Sequence, residues 1–145
     1  MRGNREKLIR LMRTLNRING QYDRFRHTLE VKESLFVLLY VCADGVPRSQ
    51  KEICDEWHIP RSTLNTTVMQ QVEAGNVMLV PRGDKQKDVC LTEQGKELAE
   101  LTLGTLLDAE DQIALRCVSD DLVAGLETLA DEMEGAIGGA CRKKA

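Results

Sequence analysis

One ten-residue stretch carries more hydrogen-bonding chemistry than packing alone requires. It reads Ile59-Pro60-Arg61-Ser62-Thr63-Leu64-Asn65-Thr66-Thr67-Val68. Pro60 suits the first position of a helix, where its missing N–H costs nothing. The turns that follow hold Arg61, Ser62, Thr63, Asn65, Thr66 and Thr67. They offer a guanidinium, a carboxamide and four hydroxyls. Arg pairs with the O6 and N7 of guanine, Asn with the N6 and N7 of adenine, and hydroxyls with bases or phosphates. The N-terminal turns of a helix also fit the major groove of B-DNA. The plainer alternative is that Ser62 and Thr63 cap the helix and the others form a solvated face.

Two flanking segments extend this chemistry. Ser49-Gln50-Lys51-Glu52 is a capping-box pattern, with Ser49 as N-cap and Glu52 reaching back. Ser49, Gln50 and Lys51 therefore open the helix that precedes the turn, where backbone phosphates are met. Downstream, Val77–Val80 and Asp88–Leu91 read as two short strands around a polar tip. Arg82, Lys85 and Lys87 lie on that tip, opposed by Asp84 and Asp88. Such a loop beside a duplex touches phosphate or the minor groove. A solvated loop is the alternative.

The remaining elements must hold this core in place. Apolar residues at Leu8, Leu11, Met12, Leu15, Ile18, Tyr22, Phe25 and Leu29 predict one long amphipathic helix over 5–29. Asn19-Gly20 predicts a kink or break within it, because Gly costs about 1 kcal/mol in a helix. Residues 33–43 are apolar nearly all round and predict a central helix that ends at Asp44-Gly45. The helix from Ser49 runs to about Trp57, His58-Ile59 makes the turn, and Gly75 ends the next helix. Leu64, Val68, Val72 and Met69 are its inward candidates. Thr92 reads as the N-cap of a long helix with Leu98, Leu101, Leu106, Ala109 and Ile113 in register. Ser119 caps a last helix bearing Leu122, Leu126, Leu129, Met133 and Ile137, which Gly138-Gly139 ends. Residues 140–145 read as a basic, frayed tail.

Composition narrows the function class. The chain has 145 residues, one domain's worth, with 42% hydrophobic and 3% aromatic residues, so the core is aliphatic. The net charge of −3 is unevenly spread. Residues 1–27 hold eight Lys and Arg against Glu6 and Asp23; residues 93–139 hold Lys96 and Arg116 against twelve acids. Two helical arms of opposite sign are complementary. No apolar leader and no run of about 20 apolar residues is present, so a cytoplasmic protein with no membrane span is expected. Five cysteines without a CxxC pair exclude a complete intramolecular disulfide set. Cys117 beside Arg116 is a candidate redox switch, opposed by Asp120 and Asp121. Enzymatic readings find no P-loop, GxGxxG, GxSxG or HExxH. Cys54 and His58 are four apart, but periodicity turns Cys54 inward, so no metal and no cofactor is expected.

In order, the elements are helix, helix, helix–turn–helix, β-hairpin, long helix, helix. With Ser49-Gln50-Lys51-Glu52-Ile53, Ile59–Leu64, Glu73-Ala74-Gly75-Asn76-Val77 and Val89–Leu98, this order resembles the MarR family of winged helix-turn-helix regulators. The resemblance implies a mainly α fold with a small β-hairpin wing. A winged lobe over 31–94 would be carried by a helical dimerisation frame over 1–30 and 95–138, all one domain. It implies a homodimer on a pseudo-palindromic double-stranded DNA operator, and a repressor responsive to a small molecule or oxidant. The effector region it implies is lined by Tyr22, Phe25, His27, Phe36 and Tyr40. One departure stands out. The family's wing carries Asp-x-Arg, and this chain has Asp84-Lys85-Gln86. A winged-helix protein–protein module without DNA binding is the alternative function.

Overall fold

The structure is a computed structural model that describes residues 2–83 and 85–143. Among the described residues, six helices and three strands follow in the order α1 (Arg2–Thr28), α2 (Glu33–Cys42), β1 (Arg48–Ser49), α3 (Gln50–Trp57), α4 (Arg61–Glu73), β2 (Val77–Pro81), β3 (Lys87–Leu91), α5 (Glu93–Cys117) and α6 (Asp120–Arg142). The chain divides into two compact units, one through Gly104 and one from Thr105 onward.

The first unit contains the core. α2 buries Phe36, Val37, Leu38, Leu39, Val41 and Cys42, as its all-round apolar pattern demands. Ile53 of α3, Leu64 and Val68 of α4, Val89 of β3 and Leu103 of α5 complete it, each at most 1% exposed. A side chain of this kind is worth about 1.5–3 kcal/mol when fully buried. Gly45 takes the left-handed position after α2, with φ 74°. Gly75 does so after α4, with φ 84°. His58, with φ 53°, closes α3 in the same conformation and makes the tight turn.

The wing is a three-stranded antiparallel sheet in the order β1-β3-β2. Val77 pairs with Leu91 and Pro81 with Lys87, while Arg48 and Ser49 pair with Val89 and Asp88. The two-residue β1 is too short to show periodicity in sequence. It ties the start of α3 directly to the wing.

A polar clamp fixes the C-terminal end of α4 to the start of α5. Thr92 donates its N–H to Asn76 O at 3.0 Å and its hydroxyl to Gly75 O at 2.6 Å. The Gln94 amide donates to Ala74 O and to Asn76 Oδ1, at 3.0 and 2.8 Å. Thr92 Oγ1 accepts from Gly95 N at 3.0 Å and so caps α5 as expected. Gly95 must be glycine: a Cβ there would lie 1.9 Å from Asn76 O.

Several boundaries differ from the sequence reading. α1 runs unbroken through Gly20, so the apolar stripe on both sides outweighs the cost of one glycine. Pro60 is the N-cap of α4, and Arg61 is its first helical residue. α6 continues past Gly138-Gly139 to Arg142. On α5 the buried positions are Gly95, Ala99, Leu103 and Gly104, whereas Leu101 is 86% exposed. Close approach to Asn76 sets the rotation of the helix, and that places Leu101 outside. Met69 is likewise exposed and Val72 half-buried.

In the second unit, Val118-Ser119 connects α5 to α6, and Ser119 Oγ accepts from Leu122 N at 3.2 Å. No residue of α6 is buried, and none of α1 in the first unit. No described helix is long and apolar enough to cross a membrane.

Candidate nucleic-acid interface

The turn set by His58 and the cap at Pro60 leave the first turns of α4 outward. Arg61, Ser62, Thr63, Asn65 and Thr66 are all exposed. The Thr66 hydroxyl donates to Ser62 O at 2.9 Å, leaving its lone pairs to accept. Thr67 contradicts the sequence reading. It is 6% exposed, and its hydroxyl lies 2.7 Å from Ser34 Oγ in the core between α4 and α2. Three residues beyond Leu64 and one before Val68, it falls on the inward face.

Arg61 opens α4 next to the wing. A cleft of about 300 Å³ lies between them, lined by Ser49, Gln50, Lys51, Arg61, Leu79, Lys85, Gln86 and Lys87. Four cations and, among the described residues, no carboxylate line it. Among the described residues the one ion pair to any of them is loose, with Lys51 Nζ 3.9 Å from Asp55 Oδ2. Six predicted residues, Ser49, Gln50, Lys51, Arg61, Lys85 and Lys87, thus line one cleft. Gln86, read in sequence as a missing charge, sits among them. A second, open groove of about 490 Å³ follows α4 along Asn65, Thr66, Met69, Gln70, Val72 and Glu73. Met69, Gln70 and Glu73 were not anticipated; the three-four spacing Ser62, Thr66, Met69, Glu73 is the signal that marks this face.

Two of the predicted contacts have internal partners. Ser49 is 3% exposed. Its Oγ accepts from Glu52 N at 3.2 Å, and its N–H donates to Glu52 Oε2 at 2.7 Å, so at the edge of the cleft it serves as the cap of α3. Arg82 turns back from the wing. It donates to Glu52 Oε1 and Oε2, both at 2.9 Å, and to Asp88 Oδ1 at 2.7 Å. Glu52 is held at about 2, chiefly by the Arg82 guanidinium and then by the Ser49 N–H. Two carboxylates raise Arg82 above its ordinary value. Its charge is therefore taken up between the wing and the start of α3.

No family model and no curated protein matches the chain, but solved structures do. A MarR family regulator from Neisseria meningitidis superposes with TM-score 0.75 at 24% identity, over 92% of this chain and 98% of that one. BldR of Sulfolobus solfataricus, a transcriptional regulator, gives 0.63 at 18% identity, over 87% and 96%. NadR in complex with 4-hydroxyphenylacetate gives 0.63 at 17% identity, over 86% and 89%.

The fold is the MarR winged helix. Within it, the predicted effector residues are mostly packed against one another. Tyr40 stacks on Phe36 at 6.1 Å and meets Tyr22 and Trp57 edge-on at 5.9 and 5.5 Å. Such pairs are worth about 0.5–1.5 kcal/mol beyond the area they bury. Trp57, not anticipated, completes this cluster. Phe25 is half-buried. His27 stands apart: its side chain is 65% exposed and its Nδ1 lies 2.6 Å from Asp23 O on its own helix.

The five cysteines divide by burial, with Cys90 half-buried. Cys42 and Cys54 are buried, and burial pushes the Cys42 thiol up to about 11 and the Cys54 thiol upward. Cys117 and Cys141 are exposed. Among the described residues no group of three His, Cys, Asp or Glu is placed to hold a metal ion.

Proposed function

We propose that this chain is a homodimeric, sequence-specific regulator of transcription that binds double-stranded DNA at a pseudo-palindromic operator. The observation that carries the reading is the outward polar set of α4 beside a cleft that four cations line and, among the described residues, no carboxylate. Arg61 and Asn65 read base edges in the major groove, with Ser62, Thr63 and Thr66 beside them. Lys51, Lys85 and Lys87 hold phosphates on either side, and Gln50 adds a neutral donor. The reading is of a binding protein acting in the cytoplasm, not of an enzyme.

The unburied helices support the dimer. Leu8, Leu11, Leu15 and Ile18 recur at steps of three, four and three, and so do Ala136, Met133, Leu129 and Leu126 read backwards. α1 of one copy and α6 of its partner thus match as antiparallel apolar seams. Two recognition helices then face half-sites about 34 Å apart. Repression follows by steric block. A small molecule or an oxidant relieves it by favouring a state with another spacing. The NadR structure holds 4-hydroxyphenylacetate, an aromatic acid, in a protein of this fold.

The second reading, a protein–protein module, draws on the neutralised Arg82 and on the acids of residues 93–139. Selection of duplexes from a random pool, followed by gel shift across salt concentrations, separates the two. The DNA reading predicts an enriched two-fold-related sequence whose affinity falls steeply with salt. Recovery of an unenriched pool sinks it.

A further inference from the structure

The back of α1, away from its apolar stripe, is a line of arginines. At 3.6 residues per turn, Arg10, Arg13, Arg17 and Arg24 fall within about one sixth of the helix circumference, opposite Leu8, Leu11 and Leu15. All four are exposed. α6 carries the counterpart. Asp120, Glu127, Asp131 and Glu134 occupy a strip of similar width, to one side of Leu126 and Met133, and all four are exposed. Among the described residues, none of these eight side chains takes part in an ion pair.

The two strips share one spacing. The arginines step by three, four and seven residues, and the acids read backwards from Glu134 step by three, four and seven. At 1.5 Å per residue these are steps of about 4.5, 6 and 10.5 Å in both helices. Antiparallel, they set Arg10 opposite Glu134, Arg13 opposite Asp131, Arg17 opposite Glu127 and Arg24 opposite Asp120. The same register places Asp23 opposite Asp121, but Asp23 is already held by Arg26 at 2.7 Å. We infer that the arginine strip of α1 docks on the acidic strip of α6 from another copy of this chain. The arginines face away from the apolar stripe, so this contact adds to an apolar dimer seam and does not replace it. The result is a salt-sensitive association of dimers. Exposed ion pairs are weak singly and act here as an array, which high salt screens.

Sedimentation of the full chain at ~0.05 and ~0.5 M salt tests this, because the Debye length falls several-fold between them. The wild type is expected to be larger than a dimer at low salt and to lose that step at high salt. R13E/R17E should remove the step at low salt, and adding E127R/D131R to it should restore it, with helix content by circular dichroism unchanged. A wild type of the same mass at both salts overturns the inference. So does an R13E/R17E variant that associates as the wild type does, or four substitutions together that fail to restore association. If R13E/R17E instead weakens duplex binding and leaves association unchanged, the strip serves nucleic acid and the inference is also overturned. The high-salt mass reads the dimer separately, and none of these outcomes depends on operator binding.

Discussion

Arg82 of the wing and Glu52 of α3 form a two-pronged ion pair, with both carboxylate oxygens 2.9 Å from guanidinium nitrogens across 30 residues of chain. The same Glu52 completes the capping box of Ser49, so one carboxylate joins the N-terminus of α3 to the wing. Ser49, which that carboxylate caps, lines the cleft together with Arg61, Lys85 and Lys87.

This pair gives stability a pH dependence. Glu52 is depressed from 4.5 to about 2 in the folded protein, so its contribution is complete above 4.5 and is lost as pH falls from there towards 2. Asp44, lowered by Arg48, and Asp23, lowered by Arg26, act in the same direction. Urea midpoints should decline over that range, and Glu52→Gln should flatten the decline. An unchanged pH profile in Glu52→Gln would show that the pair does not persist in solution.

Thr67 and Arg61 share a helix and should separate cleanly in their effects. Thr67→Ala leaves Ser34 Oγ buried without its partner, at a cost of about 1–3 kcal/mol. Replacing both, as Ser34→Ala with Thr67→Val, should be nearly neutral. Neither change should alter duplex affinity beyond the loss of folded protein. Denaturant titration alongside binding at a temperature where all variants are folded checks this.

Gly95 and Gly125 make an opposed pair. Gly95→Ala places a Cβ 1.9 Å from a backbone oxygen and should cost about 1–3 kcal/mol or more by overpacking. In α6, Gly125 has nothing within 4 Å, and Gly125→Ala should gain about 0.5–1 kcal/mol from helix propensity. Thermal melts of the two variants should shift in opposite directions.

The lysines of the cleft should report as phosphate contacts. Lys85→Gln or Lys87→Gln is expected to weaken all duplexes alike and to lower the slope of log affinity against log salt by about 1 per site. Arg82→Gln should leave that slope unchanged, because Arg82 already serves Glu52 and Asp88. A drop in slope for Arg82→Gln would mean that the wing arginine leaves its carboxylates for DNA.

Elements with strong local chemistry were legible in the sequence. The Ser49–Glu52 capping box, the helix ends at Gly45 and Gly75 and the outward set Arg61, Ser62, Thr63, Asn65 and Thr66 follow from residue type and spacing. What was missed depends on contacts between distant residues. Nothing near Thr67 in sequence announces Ser34, and nothing near Arg82 announces Glu52. The exposure of Leu101 follows from the tight approach of Gly95 to Asn76, a distance no periodicity encodes. β1 has two residues and no pattern of its own.

The central claim is that Arg61 and Asn65 read sequence. The direct measurement is the affinity of the wild type and of an Arg61→Ala/Asn65→Ala variant for a selected duplex and for its scrambled counterpart, at one fixed salt concentration. Each good base contact is worth about 1–3 kcal/mol of discrimination. The wild type should therefore prefer the selected duplex by about tenfold or more per half-site, and the variant should bind both duplexes equally and weakly while remaining folded. Equal binding of both duplexes by the wild type, or an undiminished preference in the variant, would contradict it.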